Sequence, residues 1–353
     1  MNFLVLTLKR RSFFSTMLFA LIAACFIFAV PAAGAKAFPA IFAFGDSILD
    51  TGNNNLLFTV SKCNFPPYGR NFPLKRPTGR FGNGRVFSDF VADGLGIKRF
   101  VPAFRRHPAS RELRTGVCFA SGGSGLDPVT SRIQGVIHVN DQVKDFAKYK
   151  ARLRGVVGTE AGVRNIVSKA VFLISAGNND LGITYYSTTL RSLQATPGLY
   201  TTRLVTWSNH LFKNLYNEGA RKFAVMGTLP LGCLPGARNS IAGGPLRMCS
   251  LWVNRGAQSF NSKLEAEVKK LQLTLPGSKF VYLDMYTPIH NIVKNPMRHG
   301  FTHVADGCCC MPTRPLPCID VNRYVFWDFA HPTEKVYKII SPPIVAKIKK
   351  SLA

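Results

Sequence analysis

Four short apolar runs, each closed by glycine or other turn-forming residues, constrain this chain more than any other feature. They are Ala40-Ile41-Phe42-Ala43-Phe44, Val171-Phe172-Leu173-Ile174-Ser175, and the segments 222–227 and 279–284. Runs of this length bounded by turn signals read as buried strands. Between the last two lies a long segment, 251–273, in which Trp252, Ala257, Phe260, Leu264, Val268 and Leu271 recur at helical spacing. Lys263, Glu265, Glu267, Lys269 and Lys270 fall largely on its other face, and Pro276-Gly277 separates it from the next run. Short apolar runs alternating with amphipathic helical stretches predict an α/β domain with a mostly parallel central sheet.

The amino terminus reads as a separate, removable piece. Lys9-Arg10-Arg11 precedes an apolar run over residues 17–30, then Pro31 and the small residues 32–35. That is the layout of a secretory signal peptide over residues 1–35, cleaved after Ala33-Gly34-Ala35 or, as second choice, Ala35-Lys36-Ala37. Residues 36–353 are then expected to form one domain, because no Gly/Ser or Pro-rich linker and no internal repeat divides them. A chain of that length can bury a large core without staples. The expected location is extracellular, in the apoplast or cell wall.

Composition narrows the partners. Forty-five Lys and Arg stand against eighteen Asp and Glu, a formal charge of +27, and Lys9, Arg10 and Arg11 carry three of those charges, which leaves +24 beyond the leader. Such a field favours polyanions. For an exported chain lacking a basic helix with interleaved aromatics, nucleic acid is a poor fit. Acidic cell-wall polysaccharide or an anionic lipid surface fits better. Eight cysteines remain beyond the leader, and in a secreted protein an even count suggests disulfides without revealing their pairing. Cys308, Cys309, Cys310, Cys318 and His303 are a poor metal set, since adjacent cysteines converge badly on a tetrahedral ion; no metal is expected. No Asn-x-Ser/Thr sequon is present.

The chemistry-bearing residues stand at strand ends. Gly45-Asp46-Ser47 follows the first apolar run, delivering a serine where a helix could begin, the ligand-binding end of an open α/β sheet. Far away in sequence, Trp327-Asp328-Phe329-Ala330-His331-Pro332-Thr333 places a carboxylate three residues before a histidine, on one side of a helical turn or compact loop. Serine, histidine and aspartate are the groups an activated serine nucleophile requires. No Gly-x-Ser-x-Gly surrounds Ser47, which argues against the nucleophile elbow of the α/β-hydrolases. Asn178 or Asn179 could aim an amide at the site from the end of the second run, and the glycine-rich segment 119–125 offers backbone N–H groups. A Pro- and Gly-rich stretch over 65–85 reads as a long ordered loop close to the site mouth.

Taken together and in this order, Phe-Gly-Asp-Ser at 44–47, Gly122-Gly123, Gly177-x-Asn179-Asp180 and Asp328-x-x-His331 resemble the four blocks of the GDSL (SGNH-hydrolase) esterase/lipases. The likeness to the plant branch extends through Asp50-Thr51-Gly52-Asn53-Asn54, Thr78-Gly79-Arg80-Phe81, Asp141-Gln142, Pro230-Leu231-Gly232-Cys233 and Tyr324-Val325-Phe326-Trp327-Asp328. It covers nearly all of the chain beyond the leader. The resemblance implies a flavodoxin-like three-layer α/β/α fold and no cofactor. It further implies Ser47 as nucleophile, His331 as general base then acid, and Asp328 as its orienter. The oxyanion would sit among the Ser47 N–H, the Gly123 N–H (or Gly122, one residue earlier) and the Asn179 side chain. Two departures stand out: Cys118 replaces the asparagine usual near the second block, and Cys308-Cys309-Cys310-Met311-Pro312 replaces a longer Cys-Cys-Gly segment.

The expected function is therefore hydrolysis of carboxylic esters, of lipids or of acylated small molecules and polysaccharides, by an enzyme expected to act as a monomer. Two alternatives use the same sequence: acyl transfer to an alcohol, as in cutin polymerisation, and a basic wall-polysaccharide-binding protein with little catalysis.

Overall fold

The computed structural model describes residues 37–311 and 316–353. The leader assigned to residues 1–35 lies outside them, as do residues 312–315 of the cysteine segment. Phe38–Ala353 forms one unit. In chain order its main elements are β1 (Ile41–Gly45), α1 (Phe87–Gly94), α2 (Val139–Val157), α3 (Glu160–Lys169), β2 (Val171–Ser175), α4 (Pro197–Asn217) and β3 (Lys222–Met226). There follow α5 (Leu251–Thr274), β4 (Lys279–Leu283), α6 (Tyr286–Lys294), β5 (His303–Gly307), β6 (Tyr324–Phe326) and α7 (Glu334–Leu352).

The four apolar runs become β1 to β4, all parallel and adjacent in that order. β1 and β2 are buried along their whole length, because helices cover both faces. A fifth, rudimentary strand lies on the free side of β1. There the Ala43 N–H donates to Val117 O (3.3 Å), the Phe119 N–H donates to Ala43 O (2.7 Å), and Ala43 bridges Cys118 in parallel. Counting it, the strands run in the order second, first, third, fourth, fifth along the chain, which is the flavodoxin-like arrangement. The chain leaves β1 in opposite directions at this point, so the crevice between the ends of β1 and β2 is the topological switch point, where open α/β sheets bind ligands.

Each layer has its own packing logic. α4 packs on α5, and α5 on β4; on the other face α7 packs on α1 and on β4. Alternation along β1 sends Phe42 and Phe44 into a cluster of buried rings with Phe119, Phe146, Tyr149 and Phe172, at centroid separations of 5.0–6.4 Å. Such pairs add about 0.5–1.5 kcal/mol each beyond their buried area. The cluster makes β1 a rigid base for the residues that follow it. β5 and β6 form a small second sheet beside the segment that carries Asp328 and His331.

Candidate active site

Past β1 the backbone has little freedom. Gly45 holds φ +115°, and a Cβ there would lie 1.7 Å from Ser175 O, so only glycine fits. Gln142 of α2 reaches the same residue, accepting from the Gly45 N–H (2.7 Å) and donating to Gly45 O (2.8 Å), as a neighbouring strand would. One hydrogen-bonded turn follows, with the Leu49 and Asp50 N–H groups on Asp46 O (3.1 Å each). The helix expected here does not form. Asp50 Oδ1 captures the Gly52 and Asn53 N–H groups (2.8 Å each), and Gly52 turns away at φ +126°.

Asp328 and His331 arrive on a compact loop between β6 and α7. Asp328 Oδ1 accepts the N–H groups of Ala330 and His331 (2.8 Å each), closing the turn, while the Trp327 N–H donates to His331 O (2.7 Å). Gly307 lets β5 approach closely, for a Cβ there would meet the Asp328 backbone at 2.7 Å. The cysteine segment runs alongside: the Cys308 and Cys309 N–H groups donate to Phe326 O (3.0 Å) and Trp327 O (2.7 Å). Disulfides join Cys308 to Cys318, Cys309 to Cys310, and Cys233 to Cys249, whereas Cys63 and Cys118 are buried thiols. The short segment thus supports the Asp328 loop directly.

These two loops bring the three residues together from sequence separations of up to 284 positions. His331 Nε2 lies 2.7 Å from Ser47 Oγ, and His331 Nδ1 lies 2.8 Å from both Asp328 oxygens. Burial by itself would push the Asp328 carboxyl up. The charge and hydrogen bond of His331, with the two backbone donors, more than offset this and hold it below its ordinary value. A carboxylate only accepts, so Nδ1 carries a proton, and in the neutral ring the Nε2 lone pair then faces the Ser47 hydroxyl.

The glycine-rich loop completes the constellation. The Gly122 N–H is taken by Asp50 Oδ2 (2.9 Å), and Gly122 O by the Asn54 amide (2.8 Å). Gly123, at φ +84°, has its N–H on no acceptor among the described residues, and the same holds for the Ser47 N–H. Of the two registers open in sequence, the free donor is therefore that of Gly123. The Asn179 amide gives one proton to Ser124 O (2.8 Å) and has a second in hand. Asn178 is used otherwise: its amide donates to Asp46 Oδ2 (2.8 Å) and its oxygen accepts from the Leu229 N–H (3.0 Å). Cys118 does not loosen this loop. The Asn53 amide takes over, donating to Cys118 O (2.9 Å) and Ala120 O (2.8 Å).

Several participants were not singled out from the residues alone. Tyr68, on the loop 65–85, donates its hydroxyl to Asp328 Oδ2 (2.9 Å), and the Phe81 ring lies tilted beside that of His331, 5.2 Å between ring centres. Burial and then the Asp328 charge hold the Tyr68 phenol well above its ordinary value, so it stays a donor. The Pro- and Gly-rich composition flagged the loop, and nothing in it flagged Tyr68. Gln142 appeared only as part of a motif. Asp46, Asp50 and Asp180 are buried carboxyls, each pushed up to about 6 by burial against the pull of the donors around them. Asp180 ties down the far end of the glycine-rich loop through the Leu126 and Asp127 N–H groups (2.9 Å each) and Thr130 Oγ1 (2.7 Å).

The model of the GDSL-like lipase/acylhydrolase family matches residues 41–344, almost all of the described unit and every residue of this site. The chain belongs to that family. Among its relatives is the GDSL esterase/lipase At1g23500 of Arabidopsis thaliana, 58% identical over 346 residues, 97% of this chain and 99% of the relative. GDSL esterase/lipase At1g73610 of the same plant is 58% identical, covering 89% of this chain and 90% of its own. GDSL esterase/lipase EXL4 is 51% identical, covering 90% and 93%. Membership accounts for the parallel α/β architecture and places this chain among carboxylic ester hydrolases. The fold class and the family expected from the motifs are thereby shown.

Proposed function

We propose that this GDSL family member is a serine esterase working through a covalent acyl-enzyme, with Ser47 as nucleophile, His331 as proton carrier and Asp328 as orienter. The single observation that carries the reading is the continuous chain from Asp328 through both ring nitrogens of His331 to Ser47 Oγ, with every link at 2.7–2.8 Å. As Ser47 Oγ attacks the ester carbonyl, its proton passes to His331 Nε2. The carbonyl oxygen becomes an oxyanion beside the free N–H groups of Ser47 and Gly123 and the second amide proton of Asn179. His331 then gives the proton to the departing alcohol oxygen, the C–O bond breaks, and an ester remains on Ser47. Water, deprotonated by the same nitrogen, attacks that ester; the acid leaves and Ser47 Oγ regains its proton. Each oxyanion donor lowers the barrier by roughly 3–4 kcal/mol. Asp328, kept ionised, opposes the imidazolium that forms at each transfer.

Secretion belongs to the same reading and rests on the leader pattern in residues 1–35. The test is turnover of short- and long-chain p-nitrophenyl esters beside Ser47→Ala and His331→Ala. Turnover that collapses by at least a thousandfold in both variants is the expected result. Turnover unaffected by either change would end the assignment.

A further inference from the structure

Large apolar side chains stand in solvent on segments that adjoin the site. Phe58 and Val60 are fully exposed at 105% and 95% of their reference areas, on a loop that abuts the glycine-rich segment. The contact is direct: Ser61 Oγ lies 3.2 Å from where a Gly123 Cβ would be, and Asn54 ties Ser61 O and Gly122 O with one amide, at 2.8 Å each. Across the site Phe329, between Asp328 and His331, is half exposed, with its ring 6.3 Å from that of His331. The Gly236 N–H donates to Phe329 O (2.8 Å), which anchors the neighbouring segment, where Ile241 and Leu246 are exposed at 101% and 82%. Isolated exposed apolar residues need no explanation, but Phe58 and Val60 beside the glycine-rich loop and Phe329 beside His331 border the same site.

Charge says what covers them. Twelve of the eighteen acidic side chains pair with Lys or Arg, Asp328 is held by His331, and three of the other five are the buried Asp46, Asp50 and Asp180, so the exposed surface is strongly cationic. Next to the apolar tips stand Lys62 and Arg132, two residues from Val60 and Gln134 respectively, neither in an ion pair among the described residues. Apolar tips that enter an acyl layer and cations that meet its headgroups are the two components of interfacial binding. A hydrated polysaccharide offers aliphatic tips such as Val60 and Ile241 no acyl layer to enter.

We propose that this rim docks the enzyme on an anionic lipid–water interface, so that the esters it cleaves are drawn from that interface into the Ser47 site. The proposal rests on the esterase reading for its chemistry, but docking is separable from turnover. The experiment is co-sedimentation of the Ser47→Ala protein with vesicles of phosphatidylcholine alone or with added phosphatidylglycerol, and with de-esterified pectin as the polyanion control. Binding to the anionic vesicles is expected, falling at least tenfold in Phe58→Ser/Val60→Ser. In Lys62→Glu/Arg132→Glu the preference for anionic over neutral vesicles should be lost. In otherwise wild-type protein, Phe58→Ser/Val60→Ser should leave turnover of a short soluble ester within about twofold and its melting temperature unchanged. Binding to pectin but to neither vesicle would overturn the proposal, as would vesicle binding indifferent to the Phe58 and Val60 changes. Loss of ester turnover in Ser47→Ala without vesicle binding would keep the esterase and discard the docking; vesicle binding without turnover would do the reverse.

Discussion

In the proposed mechanism Asn179 and Tyr68 serve one reaction in different ways. Asn179 holds its amide by one bond to Ser124 O, and in the mechanism we propose it offers the other proton where negative charge develops, so that its contribution belongs to the transition state. Asn179→Ala should therefore lower kcat by about a hundred- to a thousandfold and leave KM nearly unmoved, as read from steady-state kinetics. Tyr68 touches no reacting atom. Its hydroxyl bonds Asp328 Oδ2 and steadies the carboxylate that steadies His331. In Tyr68→Phe the loss of one hydrogen bond to a charged group, roughly 1.5–3 kcal/mol, should cut kcat/KM by about ten- to a hundredfold. A variant indistinguishable from wild type would show that the two backbone donors suffice to orient Asp328. At this scale Ser47, Asp328 and His331 were legible because few residue types can do the work and each stood beside a turn signal. Tyr68 was not, since a tyrosine in a loop has no pattern that announces its partner.

The strands were the easiest elements to read, because a two-sided buried strand writes its length as an uninterrupted apolar run. β2 has the predicted ends, and β1, β3 and β4 differ by one residue at most. The rudimentary strand beside β1 escaped notice: its pairing depends on backbone groups of residues 115–121, and its side chains carry no comparable run. The helix expected after Ser47 failed for a local reason, the Asp50 side chain competing for N–H groups that a helix would need. One buried ion pair anchors loop 65–85, beside its own backbone bonds, to α1. Arg80 meets Asp89 by Nε (2.7 Å) and Nη2 (2.8 Å), and gives a further bond to Val101 O (3.1 Å). Arg80→Ala would leave the Asp89 carboxylate buried and unpaired, with an expected cost of about 3–5 kcal/mol. Chemical denaturation should show it as a lower midpoint, and the displaced Phe81 as weakened ester turnover. An unchanged midpoint would assign the loop's order to its backbone bonds alone.

Across the whole molecule three buried carboxyls tie the switch-point loops together, and their protons link those loops to pH. Asp46, Asp50 and Asp180 each titrate at about 6 in the folded protein against 3.8 when exposed. The folded state therefore keeps protons that the unfolded chain has already lost. That stabilisation is fully present below about pH 4, is lost as pH rises to about 6, and changes no further above it. Asp328 acts oppositely and lower down, its contribution lost only as pH falls below the ordinary carboxyl range. Unfolding followed from pH 4.5 to 7 should show stability declining with pH, with a smaller decline in Asp50→Asn by on the order of 1–3 kcal/mol. Identical slopes in the two proteins would mean that the donors around Asp50 keep it ionised throughout.

The central claim is that Ser47 becomes acylated because His331 removes its proton. Intact-mass analysis after exposure to a fluorophosphonate tests it most directly, since the reagent reports nucleophilicity without requiring the natural ester. One adduct per chain, mapped to Ser47, is predicted for the wild type, none for Ser47→Ala, and a rate at least a hundredfold slower for His331→Ala. A folded wild type that stays unlabelled, or labelling that persists in Ser47→Ala, would contradict the account.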